Sequence, residues 1–390
     1  MRRLLFATLL LLLLAFVGCS ANKNSGEVAV VEVNPLSADV IPLSSFVKDV
    51  EFVSLELTDD SIIKRVNELF FYEDKYIVAD HGSDAIYMFD KQGKYLSKIA
   101  RKGRANNEYL NLDDVMLDDK RGVLIIKDFS SKKFLYYNLA GECVDVQSFK
   151  ENCTHYFQDA INLANGNFLC YEFAHGIQRH SYDGIWEMTP SGDIVRWVLR
   201  NELIHPTSSP LYAMAYNTQG NVSIMNIEEN SDMEYDGELK TIVKYDVKGK
   251  TAKDYAGMNN TDYAPRWGQG KMFNTRHWAY NLGRYTLSKW SGAERDFVFY
   301  SLYDTRKNSI KVGPKIDFTT AKGTQCYPSV VLGNTKEAID VIPSNLRDAI
   351  VVPLYADTFL SDKYASAAEK LLDGGDVEQM NPILQIWKIK

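Results

Sequence analysis

Residues capable of chemistry are scattered through this chain rather than gathered into a motif. The histidines His155 and His277 stand alone, His175 and His180 share one short stretch, and Pro265-Arg266-Trp267 and Arg276-His277-Trp278 add cations and indoles. No pair of histidines has the His-x-His or His-x-x-x-His spacing, or the convergent acid, from which a metal site is built, so neither a metal nor an organic cofactor is expected. Indole faces stack on the apolar side of a sugar or a side chain, so Arg266, Trp267, His277 and Trp278 suit a carbohydrate or peptide surface better than a catalytic one. Burial of the tryptophans in a core is the competing reading. Asp113-Asp114 and Asp118-Asp119 offer paired carboxylates for general acid–base work. However, Asp118-Asp119 reads as a turn, and adjacent strand residues such as Asp113 and Asp114 point to opposite faces. Gly268-Gln269-Gly270 lacks the strand-to-helix context of a phosphate loop, and there is no Gly-x-Ser-x-Gly elbow.

One polar segment is richer. Arg101, Arg104, Asn106, Asn107 and Glu108 supply donors and acceptors within eight residues, and Tyr109 adds a stacking face. That mixture suits a sugar, a peptide or a carboxylate. Its structural alternative is that Glu108 and Tyr109 lock the segment onto the next sheet of the chain.

These groups are positioned by a repeat. An aromatic-Asp/Asn-x-x-Gly turn between strand-forming stretches recurs as Phe89-Asp90-Lys91-Gln92-Gly93 and Tyr137-Asn138-Leu139-Ala140-Gly141, then as Met188-Thr189-Pro190-Ser191-Gly192 and Tyr245-Asp246-Val247-Lys248-Gly249. A looser copy runs from Tyr303 to Asn308. The glycines at 93, 141, 192 and 249 are 48, 51 and 57 residues apart, the length of one four-stranded antiparallel sheet with its loops. A second turn series (Glu73-Asp74-Lys75, Asp118 to Gly122, Ala164 to Asn167, Thr218 to Asn221) falls between the first two strands of each copy. Such small sheets are apolar on both faces and must stack on neighbours, and stacking in a ring leaves no open end.

The fold expected is therefore all-β, a six-bladed propeller, with blades near 66–100, 112–149, 157–199, 211–255, 276–316 and 327–390. In the fifth, Ser288 to Glu294 reads as the inner turn; in the sixth, Pro328 to Leu332 and Ala338 to Ile342 read as inner strands. Val50 to Leu57 is expected to pair with the terminal strand Pro382 to Ile389 and clasp the ring. One short helix is expected from Tyr364 to Leu372, capped at Ser361-Asp362, stopped by Gly374-Gly375 and packed on the last blade. The junction between the first two blades is then the Arg101–Tyr109 segment, His155 falls in the next junction, and Arg266, Trp267 and His277 precede or open the fifth blade. Loops of this kind converge at one end of the central channel, where propellers bind ligands.

At the N-terminus, Arg2 and Arg3 precede an apolar run from Leu4 to Val17, too short to span a bilayer. Phe16-Val17-Gly18-Cys19 resembles a bacterial lipobox, which implies a signal peptide over 1–18, acylation of Cys19 and attachment to a membrane. Residues 19–45 then read as a small, polar tether and 46–390 as the propeller. Of 44 basic residues two leave with the signal peptide, so 42 face 51 acidic ones, a net charge near −9 that disfavours nucleic acid as a partner. Cys143, Cys153, Cys170 and Cys326 remain; Cys143 with Cys153 is the first candidate disulfide, buried free thiols the alternative.

Three stretches carry a family resemblance: Asp49 to Leu57, Tyr87 to Leu96 and Arg101 to Leu110, with the C-terminal Asn381 to Lys390 in support. They are similar to the six-bladed β-propeller lipoproteins of gut Bacteroidetes, which implies an NHL-like or TolB-like fold; separately, Ser20 after Cys19, with no Asp, resembles lipoproteins sent to the outer membrane. The resemblance brings no catalytic residues. Where that family shows Gly-Arg-Gly-Pro-Gly-Glu-Tyr, this chain has Gly103-Arg104-Ala105-Asn106-Asn107-Glu108-Tyr109, which departs at the centre of the motif. The functional expectation is a binding or scaffolding module for a glycan, a peptide or a partner protein. The alternative is a lyase or hydrolase with His and Arg at the channel mouth.

Overall fold

A computed structural model describes residues 28–150, 157, 159–172, 183–201, 212–216, 221–226, 229–249, 275–291, 298–329, 339, 341–342, 344–346, 348–360, 364–372 and 376–390. The first strands are β1 (Ala29–Val33), β2 (Val40–Pro42) and β3 (Val47–Ser54). Four antiparallel meanders come next, each of four strands: β4–β7 (68–99), β8–β11 (114–148), β12–β15 (159–201) and β16–β19 (212–247). A fifth comprises β20 (Thr275–Leu282), β21 (Tyr285–Ser291), β22 (Val298–Asp304) and β23 (Ser309–Gly313). After β24 (Lys315–Asp317) the sixth sheet is β25 (Ala349–Leu354), β26 (Ile383–Ile389) and β3, with a bridge from Ile342 to Val351 marking its inner edge. The fold is a six-bladed propeller of antiparallel sheets, closed as expected by pairing β26 with β3, from Ile383 opposite Ser54 to Ile389 opposite Val47.

The ring is held at its blade faces. Buried residues separate into six clusters, one per blade–blade contact. Between the second and third blades, for instance, Phe134 stacks on Phe168 at 4.3 Å and Trp186 closes the cluster. The repeated turn is built by its polar residue. Asp90 Oδ1 accepts from the amides of Gln92 and Lys94, while Gly93, at φ 85°, presses so close to the sixth blade that a Cβ there would stand 2.1 Å from the Ser54 carbonyl. Asn138 repeats the arrangement, and in the fifth blade Asn308 takes the positive φ that glycine holds elsewhere.

Several details differ from expectation. The stretch read as tether is structured from Ala29: β1 adds a parallel fifth strand to the outer edge of the fourth blade, Ala29 opposite Val243 through Val33 opposite Val247. Val31 and Val33 are buried while Val30 and Glu32 face outward, an alternation that covers a sheet edge. β2 then pairs with β24, and Gly313 lets the strap pass, since a Cβ there would meet the Asp39 carbonyl at 1.7 Å. The inner turn of the fifth blade is Gly283-Arg284, not Ser288 to Glu294; Ser288 lies inside β21. In the sixth, Ile342 does lie on the inner edge, but β25 is an addition to the expected strands, and residues 330–338 are outside the described set. The helix appears as α2 (Ala365–Leu371), preceded by a short α1 (Ala356–Phe359); Ala367 is buried against the last two blades, and the expected caps at 361–362 and 374–375 are outside the described residues. Cys143, Cys170 and Cys326 are free thiols, the alternative to the candidate Cys143–Cys153 bridge; Cys153 itself is outside the described residues.

Candidate functional site at the channel

The Arg101–Tyr109 junction is a latch. Tyr109 is fully buried, its hydroxyl donates to the Asp84 carbonyl at 2.7 Å and accepts from the Arg101 amide at 3.1 Å. Glu108 turns back on its own loop, its carboxylate accepting from the Ala105 amide at 3.0 Å and packing over Gly103, where a Cβ would displace it. From the second blade the buried Lys133 ammonium donates to the carbonyls of Asn106 (2.9 Å) and Glu108 (2.6 Å), and the Tyr137 hydroxyl donates to that of Asn107 (2.5 Å). Buried donors and acceptors are thus occupied in fixing the junction. Arg101, Arg104, Asn106 and Asn107 are exposed around it, and none of them lines the channel.

Of the other expected site residues, His155, His175, Arg266 and Trp267 lie outside the described residues. His277 is the extra residue of a bulge in β20, between Arg276 opposite Trp290 and Trp278 opposite Lys289, and is exposed. Its neighbour Arg276 points the other way into the core. There Arg276 clasps Asp232 of the fourth blade with both terminal nitrogens (2.5 and 3.2 Å), donates to Ser288, and lies over the rings of Tyr245 and Trp290. Tyr245 gives the same carboxylate a further hydrogen bond at 2.7 Å. Trp278 is half-buried against Tyr280 and Tyr300, the core alternative for that indole.

The polar groups that do converge lie on the propeller axis. A cavity of about 150 Å³ runs between the innermost strands, and Glu68, Asp114 and Asp159 line it. Each is the first residue of its inner strand, β4, β8 and β12, so three successive blades present a carboxyl at the same height, at the end where the junction loops enter. Toward the other end the lining becomes Phe70, Tyr280, Leu282 and Leu346 with the amides of Asn281 and Asn345. His81, in the turn after β5, sets Nε2 at 2.9 Å from Glu68, and the buried Lys127, opposite Asp114 in the β8–β9 ladder, sets its ammonium at 3.5 Å from Asp114 Oδ2. That oxygen makes no hydrogen bond among the described residues and is sealed from solvent.

Burial sets the protonation, and neighbouring charges modify it. Burial pushes Glu68 up to about 7, against the opposing pull of His81. Asp159 is likewise pushed up to about 7 by burial and by the charge of Asp114, and Asp114 is itself raised by burial. Burial works against the His81 cation, but its hydrogen bond to Glu68 and the carboxylate charge outweigh this, so its pKa is raised. Sequence reasoning misses Glu68, His81 and Asp159 and discounts Asp114. The strand-face argument itself holds: Asp113 turns away to cap the Phe129 amide at 2.8 Å. The readable signal is the repeat, since positions 68, 114 and 159 are 46 and 45 residues apart, close to the spacing of the first turn glycines.

Fold and channel define a six-bladed propeller with a polar axial cavity. The chain belongs to the family described as "Domain of unknown function (DUF4934)", whose profile matches residues 28–350. It is similar in fold to a protein from Bacteroides fragilis named as exported, with a TM-score of 0.72 at 16% identity over 93% of this chain and 99% of that one. A member of the DUF4221 family from Bacteroides vulgatus is similar at TM-score 0.55 and 8% identity, covering 88% and 98%. Identities this low establish fold alone. No curated protein matches the sequence.

Proposed function

We propose that this protein is a lipid-anchored propeller of the cell envelope that binds a small polar ligand, drawn from glycans or peptides, at the carboxylate-bearing end of its channel. The observation that carries the reading is the axial cavity, where five blades contribute lining that includes the carboxyls of Glu68, Asp114 and Asp159. The junction loop contrasts with it, because its buried polar atoms are already paired. A concave, partly apolar site with a few convergent polar groups is the usual form of a ligand pocket. The envelope address is supported by Phe16-Val17-Gly18-Cys19 and by the exported protein of similar fold.

A thermal-shift screen of the mature chain carrying Cys19→Ser, against glycans and short peptides, tests the binding role. A ligand present at a hundred times its Kd stabilises the fold by about 2.7 kcal/mol. Absence of any shift across such a panel removes the reading. The anchor is tested separately: Cys19→Ala should move the protein from the membrane to the soluble fraction and abolish incorporation of labelled fatty acid. One observation favours an enzymatic alternative, a lyase or hydrolase. Glu68, at about 7 and hydrogen-bonded to His81, is poised to exchange a proton near neutrality. Turnover of a bound glycan or peptide that vanishes in Glu68→Gln would establish it.

A further inference from the structure

A second cavity, larger than the axial one at about 710 Å³, opens between the fifth blade and α2 of the sixth. Its size is that of a ligand site. The walls carry the rings of Tyr300, Phe318, Tyr327 and Tyr364, with Lys315 at the start of β24 and Lys370 on α2. Both lysines are exposed, and among the described residues neither ammonium has an ion pair or a hydrogen bond. We propose that this groove binds an anionic saccharide, its carboxylate or sulfate facing Lys315 and Lys370 and its ring seated against the aromatic walls. The groove shares no lining residue with the axial channel, so the inference stands apart from the channel reading.

The walls are fixed before any ligand arrives. Gln385, fully buried in β26, accepts from the Tyr327 amide at 2.7 Å and donates to the Tyr327 carbonyl at 2.9 Å, and the Tyr327 ring meets Tyr364 edge-on at 5.6 Å. Phe318 begins a tight hairpin: its carbonyl accepts from the Cys326 amide at 2.7 Å, Gly323 makes the turn at φ 80°, and its ring packs on Trp387. Rings held in this way are pre-organised, so little freedom is lost when a sugar lays its apolar face on them. Acceptors at the rim suit the sugar hydroxyls. Gln325 spends its amide nitrogen on the Cys326 carbonyl at 2.7 Å and keeps Oε1 as an acceptor, while Asp317 caps the Thr319 amide with Oδ1 and keeps Oδ2. Charge then selects among ligands. Each lysine is a compact cation that attracts a carboxylate or a sulfate without requiring one fixed geometry. A neutral sugar offers the apolar face without the charge, and an acidic aliphatic peptide offers the charge without the face.

Titration calorimetry on the mature Cys19→Ser chain at low salt tests this with two matched pairs, digalacturonate against its methyl ester and N-acetylglucosamine 6-sulfate against N-acetylglucosamine. Triglutamate serves as the probe of charge alone. In at least one pair the acidic sugar should bind about fivefold or more tightly than its neutral partner, and the pair that does so tells carboxylate from sulfate. That preference should shrink at about 0.5 M salt, because the lysines are exposed and screened. Lys315→Met and Lys370→Met should each weaken the acidic sugar about threefold to fivefold with the thermal midpoint unchanged, while Lys94→Met, an exposed lysine of the first blade, should leave its affinity as it was. Tyr364→Leu should weaken it about fivefold through the lost ring face. Equal binding of acidic and neutral partners overturns the proposal, as does triglutamate binding as tightly as the acidic sugars. Affinity unchanged in both lysine variants overturns it by placing the sugar elsewhere. No binding of either acidic sugar at millimolar concentration overturns it as well.

Discussion

Two buried ion pairs, one between the fourth and fifth blades and one beside the axis, have been treated oppositely by the fold. Asp232 and Arg276 form a finished unit: two guanidinium contacts, a tyrosine hydroxyl on the carboxylate, a serine on the guanidinium, and aromatic rings at the cation. Asp114 and Lys127 form an unfinished one, a long contact with one oxygen unmet and two further carboxyls crowding in. Desolvation is costly in both places, yet only the first offsets it through hydrogen bonds of good geometry. The fold completes such a pair at a blade contact and leaves one incomplete on the axis.

The contrast can be broken at several points. The largest effect should come from Arg276→Ala, which leaves the Asp232 carboxylate buried without its cation and should cost about 3–5 kcal/mol in urea unfolding. A loss below about 1 kcal/mol would mean that the finished pair is not holding the blades together. Next is pH. Glu68 and Asp159 bind protons more tightly in the folded chain than in the unfolded one, so the stability they contribute is complete below the ordinary carboxylate range and is lost as pH rises toward about 7. His81, raised by Glu68, acts in the same direction, its contribution being present below the unfolded imidazole value and lost as pH climbs through the folded one. Unfolding midpoints should therefore fall between about pH 5.5 and 8, by an amount equivalent to about 1–3 kcal/mol, and the slope should flatten in Glu68→Gln/Asp159→Asn.

Lys127→Met should cost only about 1–2 kcal/mol at about pH 6, well short of Arg276→Ala, because neighbouring carboxyls can take up a proton in place of the lost cation. Equal losses in the two variants would erase the distinction. The smallest effects belong to the junction loop: Tyr109→Phe should lose about 1 kcal/mol with its hydroxyl bonds, while Arg104→Ala, at the exposed rim, should stay within about 0.5 kcal/mol.

What the sequence discloses divides along the same line. Turn chemistry is local, so Asp90-x-x-Gly93 and Asn138-x-x-Gly141 announce their sheets directly, and the clasp of β3 on β26 is implied by an unpaired terminal strand. The structural role of Glu108 and Tyr109 is legible as an alternative because a short loop must fold back on its neighbours. The channel carboxyls are not, since Glu68, Asp114 and Asp159 are neighbours only after three sheets have been arranged about an axis. Arg276 misleads for a related reason. Next to an exposed histidine it reads as surface, and the bulge that turns His277 outward while Arg276 stays in the core leaves no local mark. Val31 and Val33 are hidden by brevity, as an alternation of two buried residues is too short to stand out from a polar leader.

The parallel docking of β1 on β19 also determines how the protein bears mechanical load. A pull on the start of the chain is directed along the strand axis, so the ladder from Ala29 to Val33 is strained in shear and its bonds share the force instead of opening one after another. The closing seam between β26 and β3 comes later in the chain and is sheltered behind that grip and the β2–β24 contact. Traction at the N-terminus is thereby absorbed by the rim of the fourth blade before it can reach the ring.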